Sequence, residues 1–395
     1  MPLRSAPARP FRSRLRATCV IAVCVTALSQ APTSTAAAPG SGADDLRGQL
    51  EQLVAAPGGP PGAIAVLQRD GVSRVVRAGV ADLATGRPPQ PGDHMRIAST
   101  AKAFSGAVAL SLVDRHALRL DETIGRRLPR LPRAWHSVTL RQLLNHTSGL
   151  PDYTEDEEFR QILAADPRHH FDSRRLLDFV ADRPLNFPPG TQYRYSNSDN
   201  IAVALMAEAA TGTPYEQLLR ILVYGPLGLR NTSLPQGYRM PEPYLHGYDV
   251  AGPPPPVDVS ELLGASGSWA SGGIISTPAD MTRFIRGYAG GALYGRGVVH
   301  EQRRWIPGAS QPAGPGANMA GLAIFRYTTR CGVVLGHTGN FPGYTQLIAA
   351  TPDGRRSLTF SITTQINDSS NPDLLNRMRA VQENFVCALL TRSAH

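Results

Sequence analysis

Near both ends of the chain, short segments of strand-like hydrophobic pattern are separated by turn residues. Near the N-terminus, two strand-like segments are joined by a turn at Asp70-Gly71. Near the C-terminus, two of three strand-like segments flank the turn Pro352-Asp353-Gly354. The predicted strands are residues 63–67, 73–80, 332–336, 344–350 and 357–364, and helices are predicted at about 44–55 and 372–390. The pattern predicts one sheet assembled from both ends of the chain.

The middle of the chain follows a helical period broken by many glycines and prolines. Residues 99–113 are almost all small or apolar, which predicts a helix buried on every side. Further helices are predicted at 173–180, 199–211, 214–222 and 278–288, with loops at 253–256 and 307–316. The expected fold is α/β, an antiparallel sheet flanked by helices with an inserted, mostly helical subdomain. We place the sheet subdomain at about 44–95 and 300–391, and the helical subdomain at about 96–299.

The first 38 residues differ in character from the rest. Five arginines precede an apolar run at residues 17–28, and small residues follow at 34–38. That run is too short to cross a bilayer, which needs about 20 apolar residues. We therefore expect a cleaved signal peptide at 1–38, a hydrolase domain at 39–395, and a secreted protein with no stable membrane span after cleavage.

Charge and cysteine content fit an exported protein. The five arginines of residues 1–38 supply more than half of the formal net charge of +9, and no long basic block follows them. Nucleic-acid binding is therefore not expected. Cys19 and Cys24 leave with the signal, so Cys331 and Cys387 are expected to pair in an oxidising compartment. Two buried free thiols are the alternative.

Lysine occurs at one position, Lys102, whereas the other 39 of the 40 basic residues are arginine. A guanidinium stays charged, but a buried lysine amine can lose its proton and act as a base. Lys102 follows Ser99 by three residues at the start of the predicted buried helix, so the two side chains share one helical face. The pattern S-x-x-K indicates a serine nucleophile activated by a lysine. A serine helix cap beside a surface lysine is the alternative.

Two further tripeptides carry groups that suit a catalytic site. The sequence Y-S-N at 195–197 opens a predicted helix after a proline-glycine loop, which places a phenol and an amide at a loop tip. The sequence H-T-G at 337–339 ends an apolar strand, and its glycine permits a ligand to approach the backbone. A helix cap and a plain strand end are the alternatives. Trp269, among glycines and serines, suits a site wall or a core position.

The motifs S-x-x-K, Y-x-N and H-x-G, in this order and at these separations, resemble the serine β-lactamase and DD-peptidase superfamily. The resemblance is strongest to class C β-lactamases and to the streptomycete D-alanyl-D-alanine carboxypeptidase. The segments 143–153 and 268–284 and the position of Cys331 are similar as well. The resemblance covers roughly residues 45–390. It implies an α/β sandwich with a helical subdomain, and a site between the sandwich and that subdomain.

The resemblance also implies a role for each motif residue. Ser99 would form an acyl-enzyme, and Lys102 and Tyr195 would exchange its proton, the formal base staying open because the two titrate as a coupled pair. The backbone N–H groups of Ser99 and Asn340 would form the oxyanion hole. Asn197 would bond the substrate amide, and His337 would stand where relatives carry lysine. The predicted substrate-binding set is Asn197, His337, Thr338, Gly339, Asn340 and Trp269, and no cofactor is implied.

The sequence departs from the streptomycete carboxypeptidases where those enzymes bind the terminal carboxylate of their peptide. Asn340 stands in place of a threonine, and Phe325 in place of an arginine, with Arg326 beside it. A shift of one residue on a strand turns a side chain to the opposite face, so Arg326 is not a simple substitute. An ester, an amide without a free acid, or a β-lactam therefore remains open as substrate.

The other polar clusters fit surface or structural roles better than catalytic ones. The acidic run 155–158 is typical of a solvated surface, and His169-His170 lacks partners at metal spacing, so no metal site is predicted. His146 lies in a turn and is given a structural role. The patterns G-x-S-x-G and H-E-x-x-H are absent from the sequence.

The sequence as a whole predicts an exported serine hydrolase that resembles D-Ala-D-Ala carboxypeptidases and acts on cell-wall peptides. The alternatives are an esterase, a D-amino-acid peptidase or a β-lactamase of the same superfamily. A binder that is acylated without turnover is a third possibility, disfavoured because all of the catalytic groups are present. The expected partner is a small peptide, ester or β-lactam substrate.

Overall fold

Short strands recur at both ends of the part of the chain that the structure, a computed structural model, describes: residues 42–367, 369 and 371–391. In chain order the strands are β1 (Gly62–Arg69), β2 (Val72–Gly79), β3 (Met95–Arg96), β4 (Tyr248–Asp249), β5 (Val257–Asp258), β6 (Ile275–Ser276), β7 (Ile306–Pro307), β8 (Ala317–Ala320), β9 (Phe325–Thr329), β10 (Gly332–Phe341), β11 (Tyr344–Ala350) and β12 (Ser357–Ile362).

The helices lie mostly between the two groups of strands. They are α1 (Gly42–Val54), α2 (Ala101–Asp114), α3 (Ile124–Arg127), α4 (Leu140–Leu144), α5 (Glu157–Ala165), α6 (Asn197–Thr211), α7 (Tyr215–Leu219), α8 (Gly225–Leu227), α9 (Trp269–Gly272), α10 (Pro278–Ala289), α11 (Arg296–Gln302) and α12 (Pro372–Leu390). Short 3-10 turns connect several of them, and a π-helical turn at Arg220–Tyr224 joins α7 to α8.

The main sheet joins the two ends of the described chain. Its eight strands follow the order β2-β1-β12-β11-β10-β9-β8-β7, and every adjacent pair is antiparallel. The pairing of β1 with β12 sets Ala63 opposite Ile362. The predicted α/β fold, with an antiparallel sheet built from both termini and an inserted helical region, is confirmed.

Each face of the sheet is covered by its own helices. Leu46 and Leu50 of α1 and Phe385 of α12 belong to one apolar cluster, which includes Phe360 of the sheet. The opposite face packs against the helical region, where Ile348 belongs to the larger cluster. Two cores on either side of one sheet hold β10 firmly between them.

Helix α2 lies at the centre of the larger core. Its residues from Ala101 to Leu112 are all buried, as their small and apolar side chains predict. It packs against α6 and α9, and the ring of Phe104 stacks on that of Phe284 with centroids 3.6 Å apart. The packing fixes the first turn of α2 relative to the sheet.

The structure adds elements that were not predicted, among them β7, β8 and β9 of the main sheet, and it changes three of the predicted ones. Residues 173–180 form a 3-10 helix, and the predicted helix at 214–222 is split into α7 and the π-helical turn before α8. Strand β10 continues through the H-T-G tripeptide to Phe341, because β11 pairs with it as far as Phe341 opposite Tyr344. The tripeptide therefore lies within a strand rather than at its end.

A disulfide joins Cys331, at the turn between β9 and β10, to Cys387 of α12. The bond ties the strand that carries the H-T-G tripeptide to the C-terminal helix. The predicted signal peptide at 1–38 lies outside the described residues. Within residues 42–367, 369 and 371–391, no helix has both the length and the apolar character needed to cross a membrane.

Candidate active site

The helical turn Ala98–Thr100, directly before α2, presents Ser99 to a cavity. Ala98 has a φ angle of 52°, in the left-handed region that favours glycine. A non-glycine residue held in this conformation stores strain, and such strain clusters at functional sites. The turn leaves the Ser99 side chain partly exposed while α2 behind it is buried.

Lys102 lies one helical turn after Ser99 and is only 1% exposed. Its Nζ donates hydrogen bonds to Ser99 Oγ at 3.0 Å, to Asn197 Oδ1 at 2.7 Å and to the Ser271 carbonyl at 2.8 Å. Burial lowers the pKa of Lys102 from 10.5 to about 7, against the opposing effect of nearby carboxylates. The amine can therefore be neutral near pH 7 and accept the proton of Ser99.

Tyr195 packs its ring against the Lys102 amine. Its ring centroid lies 5.0 Å from Lys102 Nζ, and its buried hydroxyl lies beside Ser99 but makes no hydrogen bond of ordinary geometry with any described residue. Burial raises the pKa of Tyr195 well above its usual value, which outweighs the lowering effect of Ser99. Near neutral pH the phenol is protonated, and the lysine is the member of the pair that can lose its proton.

Asn197, the first residue of α6, is oriented by a polar network that the sequence did not indicate. Asp152 Oδ2 accepts hydrogen bonds from the Asn197 backbone N–H at 2.8 Å and from Nδ2 at 2.9 Å. Nδ2 also lies 3.2 Å from Thr154 Oγ1. These contacts turn the amide so that Oδ1 accepts from Lys102. Asp152 therefore acts on the lysine through Asn197.

His146 contacts both the backbone before Tyr195 and the Tyr195 ring. Its carbonyl accepts from the backbone N–H of Arg194 at 2.9 Å, and its ring lies 4.5 Å from that of Tyr195. Nδ1 lies 2.7 Å from Asp199 Oδ2, and Ser148 Oγ donates to the other carboxylate oxygen. Burial lowers the pKa of His146 to about 3 and raises that of Asp199. Both shifts favour a neutral pair that shares one proton and fixes the orientation of the ring.

Strand β10 forms the opposite wall of the site. His337 is buried, and its Nδ1 donates to the Thr338 carbonyl at 2.6 Å, which leaves Nε2 without a partner among the described residues. Burial lowers the pKa of His337 to about 3, so the ring is neutral. Thr338 Oγ1 donates to the Pro312 carbonyl at 2.5 Å. Contrary to their predicted substrate-binding role, these two buried side chains support the strand and do not line the cavity, whereas Asn340 does.

Gly339 brings β10 against the nucleophile. A Cβ atom at this position would lie 2.7 Å from the Ile97 carbonyl oxygen and 3.0 Å from the Ser99 backbone nitrogen. Both neighbours are backbone atoms, which cannot move aside as a flexible side chain can. The sequence requires glycine here because the strand touches the chain that carries Ser99.

A cavity of about 950 Å³ opens between the sheet and the helical region at Ser99. Its wall is made mainly of aromatic and small side chains with a few amides and hydroxyls. They include Tyr153, Phe159, Tyr193, Tyr195, Phe341, Gly267, Gly272, Ser310, Gln311, Asn197 and Asn340. A volume of this size accommodates a short peptide or a drug-sized molecule.

The site therefore holds a serine hydrogen-bonded to a lysine of lowered pKa, with a tyrosine beside them and a strand that approaches closely at a glycine. Comparison of the whole sequence with known families is consistent with this arrangement. Residues 49–383 match the family described as Beta-lactamase. The chain belongs to the beta-lactamase family. The predicted resemblance to the serine β-lactamase and DD-peptidase superfamily is thus confirmed, and the protein is a member of that superfamily of serine hydrolases.

Individual relatives of this beta-lactamase-family chain share about a quarter to a third of its residues over the matched segments. Penicillin-binding protein 4* of Bacillus subtilis is 25% identical over 299 residues, which make up 71% of this chain and 63% of that protein. D-aminopeptidase of Cereibacter sphaeroides is 33% identical over 196 residues, 48% of this chain and 36% of that protein. Each match spans less than two thirds of the relative's own length.

A solved structure of similar fold is the D-amino acid amidase of Ochrobactrum anthropi SV3, complexed with D-phenylalanine. The TM-score is 0.75 and the identity 25%, with 87% of this chain and 99% of that chain covered. The fold is therefore shared over almost the whole of the amidase.

Trp269 does not belong to the cavity wall of this beta-lactamase-family site, contrary to its predicted role. Its side chain is fully buried, Nε1 donates to Glu216 Oε1 at 2.8 Å, and its ring packs against that of Tyr215 at 5.3 Å. The neighbouring residues Ser268, Ser271 and Gly272 line the cavity instead, so the segment was identified correctly and the residue was not.

The carboxylate-binding arginine of carboxypeptidases has no counterpart on β9. Phe325 is buried, and its ring packs edge-on against that of His337 with centroids 5.0 Å apart. Arg326 is half-buried and does not line the cavity. Neither residue therefore supplies a cation to the cavity wall.

Several residues of this site could not be assigned a role from the sequence. Asp152 and Ser271 lie within the two segments that resemble the family, and that resemblance was the one available signal for them. Asp199 is separated from His146 by 53 residues, and neither position looks unusual alone. Among the described residues, no group of three or more histidine, cysteine or acidic side chains is arranged to hold a metal.

Proposed function

We propose that this protein is an exported, D-stereospecific serine peptidase that resembles D-alanyl-D-alanine carboxypeptidases and acts on cell-wall peptides through an acyl-enzyme. The observation that carries the proposal is the 3.0 Å contact between Ser99 Oγ and a buried lysine amine whose pKa is about 7. D-stereospecificity is supported by two of the similar proteins, a D-aminopeptidase and a D-amino acid amidase. Export is supported by the disulfide, since such bonds persist in oxidising compartments.

The proposed reaction begins when Ser99 Oγ attacks the substrate carbonyl carbon and Lys102 Nζ accepts the hydroxyl proton. The N–H groups of Ser99 and Asn340 hold the oxyanion. When the C–N bond breaks, the leaving amine takes a proton from the Lys102–Tyr195 pair, and the acyl group remains on Ser99 as an ester. Water then attacks the ester carbonyl carbon and passes a proton to the same pair. The pair returns a proton to Ser99 Oγ as the C–O bond breaks, and the free acid leaves.

A second candidate is a hydrolase of D-amino-acid amides or esters with an uncharged leaving group. The observation in its favour is the wall beside Asn340, where Phe325 replaces the arginine of carboxypeptidases. An uncharged leaving group needs no cation, whereas a terminal carboxylate left without one is poorly bound.

Specificity constants for matched substrates distinguish these candidates. We would measure kcat/KM for an acylated D-Ala-D-Ala peptide, its L-Ala-L-Ala isomer, the corresponding D-alanine amide and a short-chain ester. Preference for the D-Ala-D-Ala peptide over the amide supports the carboxypeptidase proposal, and the reverse order supports the second candidate. Equal hydrolysis of the D and L isomers contradicts D-stereospecificity in both.

The acylation rate is expected to rise about tenfold per pH unit below pH 7 and to level off above it. Burial favours the neutral form of Lys102, and only the neutral amine accepts a proton, so activity is lost as pH falls through about 7. Stopped-flow acylation by a fluorescent penicillin between pH 5 and 9 measures this profile. A rate that still rises tenfold per unit at pH 9 would place the lysine pKa near its ordinary value and contradict the assignment.

Replacing Gly339 by alanine is expected to slow acylation by about 100-fold, since a displacement of about 1 Å between reacting groups has this effect. The new methyl group would press on the Ile97 carbonyl and the Ser99 nitrogen. Gly48→Ala in α1, where no atom lies within 4 Å of the new Cβ, is the matched control and should acylate at the wild-type rate. Equal rates in both variants would show that β10 does not touch the nucleophile.

A further inference from the structure

The cavity wall has an unusual distribution of charge. Among its described residues Arg160 is the one with a charged side chain, and none is an aspartate or glutamate. Lys102 lies behind the wall, buried and bonded to Ser99. A ligand in this cavity therefore meets one fixed positive charge and no described negative charge, which favours a substrate that carries an acid.

Helix α5 and the turn before it hold Arg160 in place. Asp156 caps α5 by accepting from the Phe159 N–H at 3.0 Å, and the buried Phe159 anchors the helix beside the cavity. Arg160 Nε donates to the Thr154 carbonyl at 3.0 Å. Since this bond uses Nε, the two terminal nitrogens of the exposed guanidinium keep their N–H groups for a ligand.

Three of the four acidic residues at 155–158 are engaged with partners other than Arg160, and Glu158 is exposed on α5. Glu155 pairs with Arg194, Asp156 with Arg183, and Glu157 accepts from Gln161. Within the described residues no carboxylate pairs with Arg160. An arginine set among acids, yet bonded to none of them, is available for an acid from outside the chain.

A chain of hydrogen bonds connects Arg160 to the nucleophile. Thr154, whose carbonyl binds Arg160, lies 3.2 Å through Oγ1 from Asn197 Nδ2. Asn197 in turn accepts from Lys102, which donates to Ser99. Arg160 thus lies on the Asn197 side of the site, and the family resemblance implies that Asn197 binds the substrate amide.

We propose that Arg160 binds a carboxylate on the acyl part of the substrate, on the N-terminal side of the bond that is cleaved. Arg160 is a specificity residue and takes no part in the transfer of the Ser99 proton. The proposal rests on the proposed acyl-enzyme function but holds for either leaving group. It assigns to this chain an acidic acyl donor, recognised through the paired N–H groups of a guanidinium.

A pair of chromogenic substrates isolates this carboxylate. We would compare N-succinyl-D-alanine p-nitroanilide with its methyl ester, which differs by one charge. Wild type is expected to prefer the acid about threefold in kcat/KM at low ionic strength, and the preference should shrink as salt screens the pair. Arg160→Gln should lose the preference, measured as the ratio of kcat/KM for the acid to that for the ester, and Arg160→Lys should keep part of it.

Charge reversal and a surface control sharpen the test. Arg160→Glu should invert the order, so that the methyl ester is cleaved faster than the acid. Arg175→Gln, an equal change of charge at a side chain that is 73% exposed and outside the cavity wall, should leave the preference intact. A loss of preference in Arg175→Gln as large as in Arg160→Gln would reduce the effect to net charge and overturn the proposal.

The failure of this proposal and that of the proposed function give different results. If wild type cleaves both anilides equally and Arg160→Gln does not change their ratio, Arg160 is not a carboxylate site, while the acyl-enzyme function stands. If neither anilide is cleaved and no penicillin adduct forms on Ser99, the function itself is wrong and this proposal falls with it.

Discussion

Ser99→Ala is expected to form no covalent adduct with a fluorescent penicillin. Its kcat for substrate hydrolysis should fall at least about 1000-fold, since removal of a catalytic serine has effects of this size or larger. The hydroxyl of Ser99 is the one at the cavity that receives a hydrogen bond from Lys102. No neighbouring hydroxyl is described in contact with that amine, so none is placed to take over the attack. Intact-mass spectrometry of the mixture detects the adduct directly.

Ser73→Ala provides the matched control, because Ser73 is exposed on β2, away from the cavity. It should acquire the penicillin mass as wild type does, and peptide mapping should place that mass on Ser99. An adduct of the same mass in Ser99→Ala, formed at an undiminished rate, would transfer the nucleophile to another residue. Thermal unfolding of the three proteins verifies that each is folded.

Lys102→Arg is expected to abolish acylation to a similar extent, although the positive charge is kept. An arginine remains protonated at any accessible pH and cannot accept the Ser99 proton. It would also place a larger cation where Asn197 Oδ1 and the Ser271 carbonyl now hold the amine. The measured quantity is the acylation rate constant for the fluorescent penicillin at pH 8, where the wild-type amine is mainly neutral.

Chemical rescue separates loss of the base from loss of the fold. In protein that lacks residues 1–38, Lys102→Cys offers a free thiol at this position while Cys331 and Cys387 form the disulfide. Alkylation of the thiol with 2-bromoethylamine places an amine at nearly the length of lysine. Recovery of acylation after alkylation supports a proton-transfer role, and a folded, fully alkylated protein that stays inactive contradicts it.

Local spacing allowed the centre of this site to be predicted. Ser99 and Lys102 are three residues apart in a helix, and this spacing alone brings their side chains together. The buried character of α2 also follows from its sequence, because an apolar residue at every helical position leaves no face for water. Strand-like segments bounded by turns allowed five of the eight strands of the main sheet to be predicted, but not β7, β8 and β9.

Contacts between distant segments could not be predicted from spacing. The support of Tyr195 by His146 and Asp199, and that of Asn197 by Asp152, depends on how α6 meets the turn after α4. Trp269 was misplaced because glycines and serines around it suit a cavity wall and a tight helical turn equally well. Burial decides between the two, and burial is a property of the whole fold.

The pairing of β1 with β12 also has a consequence for how the molecule forms. Ala63 pairs with Ile362, so the centre of the sheet cannot form until β12 is available to pair with β1. Closing so long a loop is entropically unfavourable, and folding rates fall as contacts become more distant along the chain. The N-terminal hairpin thus has one edge without a neighbour until nearly the entire polypeptide is available, and an exposed edge invites pairing with other chains. We therefore expect the sheet to complete only after synthesis of the last strand, and a partner that shields the hairpin edge until then to raise the yield of native protein.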